Sequence, residues 1–205
     1  MIDGIKLIGI HGKAGTGKDT VATFLNKNYI GHYIQSFADP LKEACSLAFG
    51  IPIDNFYDPE LKETVHPTWE TTPRKILQFM GTEVFRSKLQ DLIGSSASEN
   101  FWIKRAHLRL TNQFLDKDEG LYVAGDTVIF PDVRFQNEYD WIINSGGIVI
   151  HLTRPGFDGN IGIQNHASEA GINLWKTEST YEIINNTSIQ MLYNKIVDFK
   201  IKSAL

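Results

Sequence analysis

The chain has 205 residues, 42% hydrophobic and 21% charged, which suits one globular domain with a filled core rather than two. A formal net charge of −4 and a pI near 5.9 argue against a surface for polymeric nucleic acid, and leave a local basic pocket for a small anion. The single cysteine, Cys45, rules out an internal disulfide framework, and no apolar run approaches the roughly 18 residues that a membrane span requires.

Taken in order, the chain alternates strand and helix signals. Ile5 to Ile10 is a short apolar run that reads as a buried strand, broken by Gly12, Gly15 and Gly17 before a helix from Lys18 to about Asn28. Its early start leaves no space for a signal peptide, so a reducing cytoplasm is the expected setting. His32 to Ala38 suggests a second strand. Asp39 as N-cap and Pro40 at the first position then open a helix whose stripe of Leu41, Ala44, Cys45 and Ala48 ends at Gly50. Residues 51–72 lose all periodicity and read as a flap or insertion outside the core.

Thr72-Pro73 opens another helix, on which Arg74, Gln78 and Thr82 recur at i, i+4 and i+8 beside Gly81, where a missing side chain would admit a ligand. Residues 94–98 read as a flexible break and Glu99 to about Leu115 as a helix. Thr127 to Phe130 forms a third strand ending at Pro131-Asp132. Gln136 to Asn144 is a helix closed by Gly146-Gly147, and Ile148 to Leu152 is a fourth strand. Residues 153–171, punctuated by glycines, read as a lid-like loop. Tyr181 to Ile184 and the apolar stripe from Ile189 to Phe199 complete the pattern with a strand and a helix. Such alternation predicts an α/β domain spanning 1–205, a mostly parallel five-stranded sheet with helices on both faces.

The stretch Gly12 to Thr20 carries the strongest chemical signal. Glycines between a strand and a helix let backbone N–H groups converge on an anion at the positive end of the helix dipole, and Lys18 adds a mobile positive charge. The pattern G-x-x-x-x-G-K-[ST] is met at Gly12, Gly17 and Lys18, but Asp19 stands in the hydroxyl position and Thr20 follows it. That spacing resembles the phosphate loop of nucleoside monophosphate kinases. Asp19 admits two readings, a favourable charge at the helix N-terminus or a metal or catalytic role.

In an open parallel sheet the ligand sits at the carboxyl ends of the strands. Lys42, Asp132, Arg134 and Arg154 all fall there. Phosphoryl transfer needs charge neutralisation and alignment, and an acceptor that is itself a phosphate, with a second pKa near ~6, needs no general base. The chain offers cations at the ligand edge and no recognisable Ser-His-Asp, Cys-His or zinc pattern, which agrees with such a reaction.

GKAGTGKDT, FADPLK at 37–42, TPRKILQFMGTEVFR at 72–86, Phe101-Trp102, DVRFQNE at 132–138, HLTRPG at 151–156 and HASEAG at 166–171 together resemble the bacteriophage-type deoxynucleoside monophosphate kinases. The resemblance spans about residues 5–171 and implies the P-loop kinase fold in three layers. It also implies ATP- and Mg²⁺-dependent conversion of deoxynucleoside monophosphates to diphosphates. By the same resemblance, Gly15, Gly17, Lys18, Asp19, Thr20 and the lid residue Arg154 would hold ATP. Leu41, Lys42, Arg74, Gly81, Thr82 and Trp102 would form the acceptor pocket, with Arg134 and Asn137 beside the acceptor phosphate.

The catalytic set implied is Lys18, Asp19, Arg134 and Arg154, and Asp19 and Asp132 are the candidates for the metal. Asp132 could equally cap a strand end, Trp102 could be a core aromatic, and Arg86, Arg105 and Arg109 could line the pocket or form a solvated face. The implied partner is a small nucleotide, the setting a host cytoplasm if the protein is phage-encoded, and a homodimer is left open. Two other readings stand beside this one: a kinase of another metabolite such as dephospho-coenzyme A, and a nucleotide-gated switch. The switch is disfavoured by the lack of an N-K-x-D motif.

Overall fold

Strand β1 (Lys6–His11) lies at the centre of a sheet ordered β2-β3-β1-β4-β5, completed by β2 (His32–Ile34), β3 (Thr127–Val133), β4 (Ile148–Thr153) and β5 (Thr180–Ile184). Every pairing is parallel. The computed structural model describes residues 2–111, 122–156, 172 and 178–203.

The sheet is covered on both faces, which is why its central strands are nearly continuous apolar runs. Leu7, Val128, Phe130, Val133 and Val149 pack on one side against α2 (Asp39–Phe49), α4 (Pro73–Gln78), α7 (Phe101–Leu110) and α8 (Gln136–Asn144). Ile8, Ile10, Ile129, Ile150 and Leu152 point the other way, against α1 (Lys18–Asn28) and α9 (Ile189–Ser203). The result is three layers, the fold of a P-loop kinase. No described helix is long and apolar enough to cross a membrane.

The order places a reversal at β1. The chain skips one place to β2, returns to lay β3 beside β1, then crosses to the other side for β4 and β5. A crevice opens outside the carboxyl end of a strand where the order reverses, and the glycine loop sits at that end of β1.

Several boundaries differ from the sequence reading. β2 stops at Ile34, with one further ladder bond from Gln35 N–H to the Ile129 carbonyl at 2.9 Å. Asp39 lies inside the first turn of α2 rather than capping it, and its carboxylate instead accepts the Ser36 N–H at 2.9 Å. β3 continues through Pro131 and Asp132 to Val133, because a bulge opposite Gly9 and His11 accommodates a residue that has no N–H for the ladder.

The helix opened by Thr72, whose hydroxyl accepts the Lys75 N–H at 3.2 Å, passes after Gln78 into a π-helix, Phe79–Lys88. The wider i→i+5 winding takes Thr82 out of line with Arg74 and Gln78. The expected break at 94–98 is occupied by α6 (Ser95–Glu99), preceded by α5 (Gln90–Ile93). α7 begins at Phe101, and the expected continuation past Thr111 lies outside the described residues.

Residues 51–72 are not peripheral throughout. Ile51 and Phe56 are buried in the main core, the latter on α3 (Asp54–Tyr57), and a 3-10 turn follows at Leu61–Glu63. Of the expected lid, only residues 153–156 are described; the rest, with the 166–171 block, lies outside.

Candidate functional site

The glycine loop is closely held against β4. A Cβ on Gly12 would lie 2.3 Å from the Leu152 carbonyl oxygen, so no larger residue fits there. Gly17, at φ 104°, takes the left-handed conformation that caps α1. The Thr16 hydroxyl donates to the Lys13 carbonyl at 2.8 Å, and Asn185 Nδ2 donates to the Thr16 carbonyl at 2.9 Å, which ties the loop to the end of β5. Lys18 Nζ donates to the carbonyls of Gly12 at 2.7 Å and Lys13 at 2.9 Å.

A cavity of about 420 Å³ opens at this loop. Gly15, Gly17, Lys18, Asp19, Thr20 and Arg154 line it, so the structure brings together all six residues expected to hold ATP. Arg154 reaches the loop itself, Nη1 to the Gly15 carbonyl at 3.4 Å. Asn185, Thr187, Ile189 and Leu192 supply the remaining wall, and sequence reasoning missed them. Their signal was positional: they follow the last strand at the ligand edge.

A second group of cations stands beside the loop. Lys42 pairs with Asp39 at 3.0 Å and lies 4.0 Å over the Tyr57 ring, while the Tyr57 hydroxyl donates to the same Asp39 oxygen at 3.0 Å. Burial and the adjoining Asp39 push the Tyr57 phenol up. Arg74 is paired with Glu63. Lys62 is half-buried between these elements; burial, then the charges of Lys42, Arg74 and Arg134, push its ammonium down to about 8, against the opposite pull of Asp19. His11, at the end of β1, donates from Nδ1 to the Val133 carbonyl at 2.9 Å, and burial, with the nearby His151, Lys18 and Arg134, pushes its imidazolium down against the pull of that bond. The cations thus come from α2, α4, the 3-10 turn and the end of β3, all at one edge of the sheet.

The model of the deoxynucleotide monophosphate kinase family matches residues 57–196. The chain belongs to this family. A protein of Acanthamoeba polyphaga mimivirus, provisionally named a deoxynucleotide monophosphate kinase, is 35% identical over 195 residues, covering 93% of this chain and 94% of its own. The deoxynucleotide monophosphate kinase of Enterobacteria phage T4 is 26% identical, covering 94% of this chain and 97% of its own. Members of the family are phosphotransferases, and a nucleotide kinase role goes with the phosphate loop and the second set of cations described above.

Within this kinase fold, several residues implied as acceptor contacts are engaged in packing. Leu41 is buried against Gly81, and Trp102 is buried with its indole N–H donating to the Gly81 carbonyl at 3.0 Å and its ring against Phe85 and Phe101. The space beside the Gly81 Cα is occupied by the Leu41 side chain. Asn137 Nδ2 donates to the Glu99 carbonyl at 3.0 Å and to Asn100 Oδ1 at 3.1 Å. Thr82 is half-buried, and Gln78 Oε1 is buried without a hydrogen-bond partner among the described residues.

Asp132, a candidate for the metal, has a structural task. Its two carboxylate oxygens accept the N–H groups of Phe37 and Ala38, each at 3.0 Å, which fixes the turn into α2. Burial raises its carboxyl against the pull of those bonds and of Lys42. Arg86 is not a solvated surface charge: it forms a buried ion pair with Glu138 and lies 3.9 Å over the Phe135 ring. Glu138 also accepts the backbone N–H groups of Arg134 at 2.8 Å and Phe135 at 3.1 Å, so the strand end that carries Arg134 is held from below.

Among the described residues no cluster of three or more His, Cys, Asp or Glu could hold a metal. Mg²⁺ is commonly bound by one or two carboxylates, waters and substrate phosphates rather than by a protein cage. Asp19 and Thr20, both lining the cavity on the first turn of α1, fit that arrangement.

Proposed function

We propose that this chain transfers the γ-phosphoryl group of ATP to the phosphate of a deoxynucleoside monophosphate, giving a diphosphate and ADP. The observation that carries this reading is the juxtaposition of the phosphate-loop cavity with a second cation group, Lys42, Arg74 and Arg134, at the same sheet edge.

An oxygen of the acceptor phosphate attacks the γ-phosphorus in line. The bond from that phosphorus to the β,γ-bridging oxygen breaks, and its electron pair leaves with ADP. The acceptor is already ionised near neutral pH, so no side chain has to remove a proton. The work of the protein is to place two repelling anions in line and to offset charge on the equatorial oxygens. Backbone N–H groups of Gly15 and Gly17, with Lys18 and Arg154, take the donor phosphates, and Thr20 adds its hydroxyl. Lys42 and Arg74, each already oriented by a carboxylate, hold the acceptor phosphate together with Arg134. Gln78 Oε1, a buried acceptor lacking a donor, suits an N–H of the bound nucleotide.

Mg²⁺, when bound at Asp19 and the donor phosphates, would supply charge neutralisation and alignment of those phosphates. A free, buried Cys45 suits the reducing cytoplasm proposed as its setting.

The direct test is coupled-assay turnover with ATP and a panel of monophosphates. Acceleration of ATP consumption by deoxynucleoside monophosphates is expected, and a panel in which none accelerates it refutes the reading. Lys18→Ala should abolish turnover. Arg74→Ala should chiefly raise the KM for the monophosphate, and a rise confined to the ATP requirement would reverse the assignment of the two pockets.

A further inference from the structure

Residues 51–72, aperiodic in sequence, bring a cation, Lys62, within electrostatic reach of Lys42, Arg74, Arg134 and Asp19. Lys62 sits on the 3-10 turn Leu61–Glu63, which is fixed from both ends. On one side Glu63 pairs with Arg74 of α4. On the other the Lys62 N–H donates to the Asp58 carbonyl at 3.0 Å, next to Tyr57, whose ring and hydroxyl engage Lys42 and Asp39 of α2. A lysine on a wandering loop would be a solvated charge; this one is built into place.

Its ammonium nevertheless has no counter-group among the described residues. Lys42 and Arg74 each have a carboxylate partner, whereas Lys62 is half-buried with no hydrogen bond or ion pair from its side chain to a described residue. Lys42, Arg74 and Arg134 all repel it, and Asp19, on the first turn after the glycine loop, attracts it. Holding a partly desolvated cation among like charges is unfavourable unless an anion joins them. A phosphate monoester dianion, with close to two charges and three acceptor oxygens, supplies the missing acceptor and turns the mutual repulsion into shared attraction. The flanking charges also give direction. Lys62 has the acceptor-side cations Lys42 and Arg74 about it and the donor-side Asp19 in reach, which is where two phosphates must approach for transfer.

We propose that Lys62 is a further phosphate-binding residue of this kinase, contacting the acceptor monophosphate on the side that faces the donor; this rests on the reading of the chain as a deoxynucleoside monophosphate kinase. Lys62 stays protonated throughout and exchanges no proton with the substrate. Its compact ammonium on a flexible stem can follow an oxygen that moves as the new bond forms, which a fixed guanidinium fork does less well.

Steady-state kinetics of wild type, Lys62→Met and Lys62→Arg, with ATP and a deoxynucleoside monophosphate varied in turn, test the proposal. Lys62→Met should raise the monophosphate KM on the order of ten- to a hundredfold, the worth of one charge-assisted hydrogen bond. The ATP KM should stay near wild type, and Lys62→Arg should recover part of the loss. A wild-type monophosphate KM in Lys62→Met, or a rise in the ATP KM alone, overturns the proposal. Failure of the wild type to phosphorylate any monophosphate would overturn the kinase reading instead, and it shows before any variant is made.

Should Lys62→Met not fold, amine acetylation of the wild type, read by mass spectrometry near pH 8, decides. A deoxynucleoside monophosphate that shields Lys62, while the unphosphorylated nucleoside does not, supports the contact. Equal labelling with and without the monophosphate overturns it.

Discussion

A Cβ on Gly81 would lie 2.7 Å from Leu41 Cδ2, so the π-helix and α2 meet through the absence of one side chain and the bulk of another. Gly81→Ala should therefore destabilise the protein by roughly 1 kcal/mol, the overpacking penalty outweighing the gain in helix propensity. In a Leu41→Ala background the same change should stabilise, because the added methyl fills space left by the leucine. Urea unfolding of the four proteins checks this, and equal effects of Gly81→Ala in both backgrounds would contradict it.

Trp102 belongs to the same contact, since its indole N–H donates to the Gly81 carbonyl. Trp102→Phe keeps an aromatic ring but leaves that carbonyl without its donor, a loss of about 1–3 kcal/mol. The monophosphate KM should stay close to wild type. A variant of normal stability with weakened acceptor binding would instead restore a base-stacking role.

The ion pair of Arg86 and Glu138 is buried, and breaking one side leaves a charge without its partner. Arg86→Met should destabilise by about 3–5 kcal/mol, and Arg86→Met with Glu138→Leu should recover much of that loss, since an apolar pair of similar volume removes both desolvation penalties. Denaturant midpoints for the single and double variants provide the comparison; no recovery in the double variant would count against a simple ion-pair account.

Asp132 holds the turn before Lys42 by two backbone N–H groups. Asp132→Asn retains one carbonyl oxygen and so loses one of the two bonds. The expected result is a raised monophosphate KM with an unchanged dependence of rate on Mg²⁺ concentration. A shift in the Mg²⁺ dependence would return Asp132 to the metal site.

Lys62 carries a pH signature of its own. Its ammonium is pushed from 10.5 down to about 8, so between those values the folded protein binds fewer protons than the unfolded chain. Unfolding free energy should rise with pH through that window, and below it the charged Lys62 should make a constant, unfavourable contribution. The difference in stability between wild type and Lys62→Met, followed by urea unfolding from below pH 8 upward, should change with that sign. A flat difference would mean that the ammonium is not held among its neighbours as described.

What the sequence determined by itself was local chemistry. The strand, glycine loop and helix at residues 5–28 follow from backbone freedom at Gly17, a helix dipole and an apolar run, all of which act over a few residues. The alternation of such units implied a parallel sheet, and position after a strand was enough to send Lys42, Arg134 and Arg154 to the ligand edge.

Tertiary structure decided everything that depends on which distant segments meet. Asp132 is spent on amides 94 and 95 residues away, and Arg86 on a carboxylate 52 residues away, so neither role has a local signature. Leu41, Gly81 and Trp102 were assigned to the acceptor pocket by resemblance, and their packing on one another, across segments far apart in the chain, has no local signature. Lys62 was invisible for the complementary reason: it lies in an aperiodic segment, and its significance comes from the charges of Lys42, Arg74, Arg134 and Asp19 that folding gathers around it. Periodicity records which face of an element is buried, whereas electrostatic neighbourhoods are set by contacts across the chain.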